Sequence, residues 1–536
     1  MPITASVLET AARHPGRTAI AGPGEKLSYQ GLVDDSRRVF AAVDALQLAA
    51  TSTPAKETRG IPITAVSVDS AFDAARIVAG LAGYRAVSAV IDPRWPLEHR
   101  VRAIVSTGVG LVIADDPALA GALAAAGWAG AILGLAEFRE LSERAEPAPP
   151  PTVRAGDEAF LMLFSSGTTS APKAFLKTRD QYRANVAVSA AHLEPFPGVE
   201  TLAPGPVSYS LTLYAVIECL ATGGGAHLTD RFEPFGIAAR IREEGITRLV
   251  AVPAVVEALT IAARRDPAAL AGLELVVTGG ANLPASVRDG LASALPHTRL
   301  ISYYGAAEIG FIGDSREGDG TGIRVYPEIS AEIRDESGAR VPAGELGELW
   351  ILAEACSDGY LSGTSDETLQ GEGGWATVHD LGRIAAEGGA LELVGRAGDV
   401  VATGGHKVAL PEIERAYAAM PGIGAACAVA LPDPRLGAVV ALVVERVERA
   451  EHAKGTEGAE DAKGANGAEG TAIPGRDELA EWGRERLAPQ YVPRRWFAVE
   501  RLPRTIGGKV RRGETAALVA AVVSAAAAGN EGVVRL

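Results

Sequence analysis

Cysteine is scarce in this sequence, where Cys219, Cys356 and Cys427 are the three cysteines among 536 residues. They lie far apart, are odd in number and lack the spacing of metal ligands, so neither a disulfide framework nor a zinc site is predicted. A reducing, cytoplasmic environment is therefore expected.

Long apolar runs are also missing. Residues 117–136 carry no charge, but glycines interrupt them and most of the rest is alanine. This pattern favours a short helix followed by a strand over a membrane span. The first residues, "MPITASVLETAARHPG", lack the basic and apolar segments of a signal peptide. We expect a soluble protein without a membrane span.

Positive charge is in deficit, with 51 Lys and Arg against 66 Asp and Glu and a formal net charge of -15. Nucleic-acid binding needs clustered cations, so no nucleic-acid partner is expected. The content of 47% hydrophobic and 22% charged residues is typical of a globular protein. The length suits several average domains or one large domain and a small one. The expected ligands are small molecules.

Strand-like and helical stretches alternate along most of the chain. Runs such as "ITAVSV", "VGLVIA" and "LELVVTGG" are separated by helical stretches such as "SAFDAARIVAGLAGY", which predicts an α/β fold with mostly parallel sheets. After about Thr321, short strands between Gly, Pro and Asp turns predict a smaller antiparallel module. The segment at residues 449–472 has no aromatic or branched aliphatic residue and is predicted to be a mobile, disordered insertion.

A phosphate-binding loop is predicted at residues 161–175, "LMLFSSGTTSAPKAF". Its apolar start is typical of a buried strand. The loop then offers hydroxyls, backbone amides and one cation, Lys173, which suit a polyphosphate. It is not a Walker loop, because Pro172 and Ala174 stand where that motif needs a glycine and a magnesium-binding hydroxyl. A Ser/Thr-rich surface loop is the alternative.

Further polar clusters follow apolar strands, which is where open α/β sheets bind their ligands. Each cluster alone has an ordinary explanation, such as a turn or core packing. The candidate residues outside the loop are Gly279, Gly280, Ala281, Tyr304, Glu308, Asp380, Arg396, Asp399, Gly404, Gly405 and Lys509.

Together these stretches closely resemble the adenylate-forming superfamily of acyl-CoA synthetases, nonribosomal peptide synthetase adenylation domains and firefly luciferase. Within it, the chain is most similar to a stand-alone acyl-CoA or aryl-CoA ligase. The resemblance runs in the family's motif order from "GRTAIAGPGEKLSYQGL" to "LPRTIGGKVRR". It implies a large N-terminal domain of layered α/β sheets with a small β module at residues 1–395. A small, mobile α+β C-terminal domain would follow at residues 396–536.

The resemblance also implies a role for each candidate residue. The phosphate loop would bind the β- and γ-phosphates of ATP through Ser165, Ser166, Gly167, Thr168, Thr169 and Lys173. The nucleoside would lie against Gly279, Gly280, Ala281, Tyr304 and Gly305, with Asp380 accepting from the ribose hydroxyls and Arg396 nearby. Glu308 would help to hold Mg²⁺. Lys509 would contact the substrate carboxylate and the α-phosphate, and it forms the expected catalytic set with Glu308 and Lys173.

The implied reaction has two halves. A carboxylate attacks the α-phosphorus of ATP to give acyl-AMP and pyrophosphate, with Mg²⁺ and a fixed ammonium offsetting the charge repulsion. A pantetheine thiol, of coenzyme A or of a carrier protein acting in trans, then displaces AMP. The C-terminal domain would rotate about Asp399 between the halves, and Gly404 and Gly405 would line the pantetheine tunnel.

The acid pocket is expected at Tyr209, Ser210 and Leu213, which fall in the stretch that lines the pocket in relatives. Amino-acid-activating relatives carry an aspartate at the position of Ser210 to pair with the substrate ammonium. Because an unpaired buried ammonium is costly, an aryl or aliphatic acid is favoured over an α-amino acid. The alternative is that another residue supplies the negative charge.

Two other functions stay open at this point. One is a stand-alone amide synthetase that passes the acyl-AMP to an amine. The other is a catalytically silent adenylate-binding protein. Ala307 and Ala174 depart from the family pattern, but neither departure removes a charge that the reaction needs. The presence of five charged site residues together speaks against a silent protein, and these are Lys173, Glu308, Asp380, Arg396 and Lys509.

Overall fold

The chain folds into two compact units. The computed structural model describes residues 3–49, 53–165, 173–281, 283–317, 320–403, 406–433, 435–446, 474–505, 509–524 and 533–536. The first unit comprises Met1–Val378 and Ile384–Glu392, and the second comprises His379–Arg383 and Leu393–Leu536. The predicted insertion at residues 449–472 lies outside the described residues.

The first unit contains most of the helices and strands. Its helices are α1 (Thr4–Arg13), α2 (Tyr29–Ala49), α3 (Ala71–Leu81), α4 (Leu97–Ser106), α5 (Pro117–Ala125), α6 (Leu135–Arg144), α7 (Arg179–His192), α8 (Ser210–Thr222), α9 (Pro234–Glu243), α10 (Pro253–Arg265) and α11 (Ala285–Ala294). Its strands are β1 (Thr18–Gly22), β2 (Glu25–Ser28), β3 (Ile63–Ser67), β4 (Val87–Val90), β5 (Leu111–Ala114), β6 (Ala131–Leu133), β7 (Ala159–Phe164), β8 (Ala174–Thr178), β9 (Glu200–Ala203), β10 (Gly225–Leu228), β11 (Arg248–Ala251), β12 (Leu275–Thr278), β13 (Arg299–Ala306), β14 (Gly310–Ser315), β15 (Gly322–Val325), β16 (Ser330–Arg334) and β17 (Gly347–Leu352).

Two sheets position the candidate site in the first unit. One has the strand order β6-β5-β3-β4-β7-β8, with parallel neighbours except for the antiparallel pair β7 and β8. The other includes the order β15-β14-β13-β12-β11-β9-β10-β1-β2, in which β12 runs parallel to β11 and β13. Strands such as β3, β4, β5 and β12 are buried along their whole length and are mostly apolar, as is typical of parallel sheets covered on both faces. The ends of β7, β12 and β13 carry the predicted site residues.

The sheet that contains β7 encloses a continuous apolar core. Ile63, Val87 and Val112 from the strands pack with Ile104 of α4 and Leu119 of α5. The uncharged stretch at residues 117–136 folds into helix α5 followed by strand β6, as predicted. The helix ends well before it reaches a length that could span a bilayer. None of the described helices is long and apolar enough to cross a membrane.

A hairpin of β18 (Asp380–Ile384) and β19 (Leu391–Arg396) contributes residues to both units. The second unit continues with β20 (Val400–Thr403), β21 (His406–Ala409), α12 (Leu410–Ala418), β22 (Ile423–Asp433), β23 (Gly437–Arg446), α13 (Arg476–Arg486), β24 (Arg495–Val499), α14 (Arg512–Ser524) and β25 (Val533–Arg535). Strands β22 to β25 form a sheet in chain order, and the apolar faces of α12 and α13 pack on it through Tyr417 and Leu479.

The predicted fold class is confirmed, with a large α/β unit followed by a small α+β unit. The predicted break between residues 395 and 396 stays a prediction. The compact units divide within the hairpin, so that residues 379–383 group with the chain after residue 392.

Candidate functional site

The base of the predicted phosphate loop is a closed hairpin. Strand β7 is buried along Ala159–Phe164 except at its last residue, and β8 pairs with it as far as Phe164 and Ala174. One step further, the Ser165 amide donates to the Lys173 carbonyl at 2.9 Å. The Ser165 hydroxyl is buried and has no hydrogen-bond partner in the part of the chain that the structure describes. Ser166, Gly167, Thr168 and Thr169 lie outside the described residues.

Lys173 is the cation at the end of this loop. Its ammonium forms an ion pair with Glu367 and lies 5.4 Å from the centre of the Tyr360 ring. Both contacts compensate a positive charge that is largely shielded from water. An anionic ligand could therefore replace Glu367 as the partner of Lys173.

Glu308 follows strand β13 and is 7% exposed. Its Oε1 accepts from the Tyr360 hydroxyl at 3.2 Å. Among the described residues, no lysine or arginine forms an ion pair with the Glu308 carboxylate. The Lys177 ammonium interacts electrostatically with Glu308 but binds its backbone carbonyl and not its carboxylate, so the buried carboxylate can still accept a metal ion.

The donor set near Glu308 fits Mg²⁺ bound together with a nucleotide. In the described residues there is no group of three His, Cys, Asp or Glu side chains that could hold a metal unaided. Mg²⁺ in nucleotide sites commonly needs only one or two carboxylates, because phosphate oxygens and water complete its shell. Glu308 supplies one such carboxylate.

The turn after β12 presents bare backbone. A Cβ on Gly279 would overlap the Tyr303 ring, and Gly280 has a φ of 78°, which favours glycine. Ala281 is exposed, and Tyr304 and Gly305 are half-buried on β13. The Tyr303 ring thus occupies the space beside Gly279, and the adenine role of these residues stays a prediction.

The residues predicted to line the acid pocket lie at the start of α8. Tyr209 precedes the helix without a side-chain cap, Ser210 is its first residue, and the Leu213 amide donates to the Tyr209 carbonyl at 3.0 Å. The Arg94 guanidinium lies 5.8 Å from the Tyr209 ring centre and is itself held by Asp92. Leu213 is fully buried, so its contribution is apolar packing.

In the second unit, Asp380 and Arg396 face each other on the hairpin. The Arg396 Nε donates to Asp380 Oδ1 at 3.1 Å. Both carry charge near Lys509. Partial removal of the Lys509 ammonium from water and the Arg396 charge lower the pKa of Lys509, while Asp380 opposes the shift. The residue as a whole still has a large solvent-accessible surface. Its amide donates to the Thr505 hydroxyl at 3.1 Å.

The predicted hinge residue Asp399 is tied to α14. The Arg512 Nε donates to Asp399 Oδ1 at 2.7 Å, and the same guanidinium pairs with Glu414. Burial raises the pKa of Glu414, and Arg512 opposes that shift. Arg512 therefore joins Asp399 to the helix that follows Lys509. The predicted tunnel residues Gly404 and Gly405 lie outside the described residues.

Sequence reasoning missed several residues that contact the predicted set. Lys177, Tyr360, Glu367 and Arg512 each bind a predicted residue or its backbone. Lys177 carried a signal, because a lysine inside the apolar strand "AFLKT" is unusual. The other three stand in stretches whose pattern does not distinguish them.

Comparison with known protein families decides the affiliation. A model of the AMP-binding enzyme family matches residues 7–361, and a model of the AMP-binding enzyme C-terminal domain matches residues 412–509. The chain belongs to the AMP-binding enzymes. It is an adenylate-forming ligase.

Individual relatives agree with this affiliation. The chain is 26% identical to an uncharacterised acyl-CoA ligase, YhfT, of Bacillus subtilis strain 168, over 96% of this chain and 97% of that protein. It is 31% identical to a salicylyl-CoA synthase / salicylate adenylyltransferase of a Streptomyces species, over 63% of each chain. The fold is similar to that of ATP-bound MatB from Rhodopseudomonas palustris, with a TM-score of 0.80, 22% identity and coverage of 96% of this chain and 99% of that one.

Proposed function

We propose that this ligase activates a small aryl acid and transfers it to a pantetheine thiol. The enzyme uses ATP to convert a carboxylic acid into acyl-AMP and pyrophosphate, and a thioester then forms as AMP leaves. The assignment of the nucleotide site rests on the burial of the Glu308 carboxylate, which forms no ion pair with a lysine or arginine among the described residues. It lies next to Tyr360, which also contacts the loop cation Lys173.

The proposed roles follow from charge. Lys173 and the loop amides bind the outer phosphates, and Glu308 holds Mg²⁺, which supplies Lewis-acid neutralisation of phosphate charge when bound. Lys509 donates to the attacking carboxylate and the α-phosphate, where charge gathers in the transition state. Asp380 accepts from the ribose hydroxyls, exchanging its bond with Arg396 for bonds with the ligand.

An α-amino acid is a poor candidate substrate. Ser210 offers no charge to a substrate ammonium, and the acidic residue further along α8, Glu218, is already paired with Arg248 at 2.8 Å. Both partners of that pair are buried. Freeing Glu218 for a substrate would leave Arg248 unpaired in the interior, which is strongly unfavourable.

Aromatic side chains support an aryl acid. The Tyr303 ring fills the space beside Gly279, and its centre lies 4.7 Å from that of Phe311. Phe311 in turn lies 4.7 Å from Tyr214 of α8, edge to face. A flat aromatic ring gains about 0.5–1.5 kcal/mol from such neighbours beyond its buried area. The salicylyl-CoA synthase relative bears the name of an aryl acid.

Carboxylate-dependent exchange of pyrophosphate into ATP tests this function without knowledge of the acceptor. Aryl acids, fatty acids and amino acids are supplied as separate pools, and exchange is expected with the aryl pool. Exchange with the amino-acid pool alone would contradict the acid class, and no exchange with any pool would contradict adenylation. Adding coenzyme A, a phosphopantetheinylated carrier protein or an amine to the active pool then separates a thiol ligase from an amide synthetase.

A further inference from the structure

Lys177 is a buried lysine that sequence reasoning did not select. It lies in β8 on the same face as Phe175 and is 3% exposed. Its Nζ donates to the backbone carbonyl of Glu308 at 2.7 Å and to that of Ala355 at 2.6 Å. The side chain thus crosses from the strand that follows the phosphate loop to the residue proposed to hold Mg²⁺.

Two further contacts hold Glu308. The Ser357 amide donates to the Glu308 carbonyl at 2.8 Å, so this oxygen accepts from two donors. The Tyr360 hydroxyl donates to the carboxylate at 3.2 Å. Lys177 and the Ser357 amide therefore fix the backbone of Glu308, and Tyr360 fixes the rotation of its side chain. Lys177 and Tyr360 act through their side chains, so each can be replaced by mutation without the other.

Strand β8 connects these groups to the loop. Phe175 forms a backbone bridge with Tyr360, and the Ser357 hydroxyl donates to the Leu176 carbonyl at 2.8 Å. Lys173, immediately before the same strand, contacts the Tyr360 ring. A shift of Glu308 relative to Lys173 would have to break several of these contacts. Strand β8 therefore sets the separation between Glu308 and Lys173.

A lysine at this position is expensive if packing is its only role. Burial lowers the pKa of Lys177 to about 8, although Cys356, Glu308 and Asp358 oppose the shift. Leucine or methionine would fill the same space without removing a charge from water. What lysine adds is a pair of hydrogen bonds that fix two carbonyls in neighbouring segments.

We propose that Lys177 is a positioning residue for adenylation: by anchoring the Glu308 backbone to β8, it sets the Glu308 carboxylate at the separation from the phosphate loop that Mg·ATP requires. Tyr360 fixes the rotation of that carboxylate. The inference rests on the proposed magnesium role of Glu308.

The test is equilibrium binding of α,β-methylene-ATP, measured by titration calorimetry with Mg²⁺ and in its absence. The ratio of the two affinities reports how well the protein binds the metal together with the nucleotide. Lys177→Met should reduce this ratio about 10- to 100-fold, the usual effect of removing a partner that orients a metal ligand. Affinity without Mg²⁺ should be retained, and adenylation should need more Mg²⁺ for half-maximal rate.

Arg179→Met is the matched control. Arg179 is equally buried and also donates to two backbone carbonyls, those of Ala82 and Tyr84, but it does not contact Glu308. It should lower stability while leaving the magnesium ratio unchanged. Tyr360→Phe is a milder second variant that keeps the ring, and it should lower the ratio several-fold even if Lys177→Met does not fold.

Glu308→Gln separates the two levels of the proposal. An unchanged magnesium ratio in Glu308→Gln would overturn both the magnesium role and the inference. A reduced ratio in Glu308→Gln with unchanged ratios in Lys177→Met and Tyr360→Phe would overturn the inference alone. An equal reduction in Arg179→Met would show a general structural effect and would likewise overturn it.

Discussion

Glu308 in the first unit and Lys509 in the second carry opposite charges, and they are held in opposite ways. Glu308 is buried, with its carbonyl bound by Lys177 and Ser357 and its carboxylate bound by Tyr360. Lys509 is exposed, and its described backbone bonds join it to Thr505. The difference matches their proposed tasks. A residue that receives Mg²⁺ benefits from a fixed position, whereas one that serves a single half-reaction must be released without breaking a core.

The largest expected effect on activity comes from removing the charge of Lys509. Lys509→Ala should slow acyl-AMP formation about 100- to 1000-fold, because it deletes a donor to the transition state. Thioester formation from supplied acyl-AMP should be retained. Single-turnover assays of each half-reaction check both statements, and Arg511→Ala, which removes an exposed cation paired with Glu514, is the control. Equal loss in both halves would refute the idea that Lys509 serves only one.

A smaller effect is expected at the ribose site. Asp380→Ala should raise the KM for ATP about 10- to 100-fold, since bonds from two hydroxyls to a carboxylate are lost. Asp335→Ala is a suitable control, because Asp335 is an exposed turn residue that accepts from the Ser337 and Ala339 amides. An unaltered KM for ATP in Asp380→Ala would remove Asp380 from the nucleotide site.

Whether a contact could be predicted from the sequence depends on how far apart its residues lie along the chain. Strand β7 and its loop follow from a local pattern, an apolar run before a polar turn. Lys177 could be seen as unusual within "AFLKT", but its partners at Glu308 and Ala355 come from more than a hundred residues away. No periodicity in the sequence specifies that pairing, because the sheet order and a separate loop bring the segments together.

The second unit shows the same limit. The family resemblance placed Arg396 near Asp380, and the hairpin explains this proximity, because it brings the two side chains face to face. The contact between Asp399 and Arg512 spans a whole domain and carries no local signal. Residues that bear charge at a strand end were found from sequence, whereas the residues that hold them needed the fold.

Arg512→Met should lower the stability of the second unit rather than the activity. It removes the partner of both Asp399 and Glu414, and we expect a loss of about 1–3 kcal/mol in the free energy of unfolding. Urea unfolding of the variant checks this. Arg511→Ala should change the free energy by less than about 0.5 kcal/mol, because exposed pairs contribute little. Similar losses of unfolding free energy in both variants would mean that the contacts of Arg512 contribute no more to stability than an exposed ion pair.

The smallest expected effect is on pH dependence. Adenylation needs the Lys509 ammonium, whose pKa is lowered by partial removal from water, although the residue as a whole is exposed, and by the Arg396 charge. The rate should therefore fall on the alkaline side before the ordinary lysine range of about 10.4 is reached. Arg396→Gln removes a lowering influence and should move this fall to higher pH, whatever it does to the maximal rate. A fall that stays in place or moves to lower pH would show that Lys509 does not set it.

The most direct test of the central claim follows the oxygen of the acid. An accepted acid carrying ¹⁸O in both carboxylate oxygens is turned over with ATP and a thiol, and the AMP is analysed by mass spectrometry. If the carboxylate attacks the α-phosphorus, the thiol displaces AMP with one labelled oxygen, and pyrophosphate is unlabelled. Unlabelled AMP, or label in inorganic phosphate released with ADP, would contradict an adenylate-forming ligase.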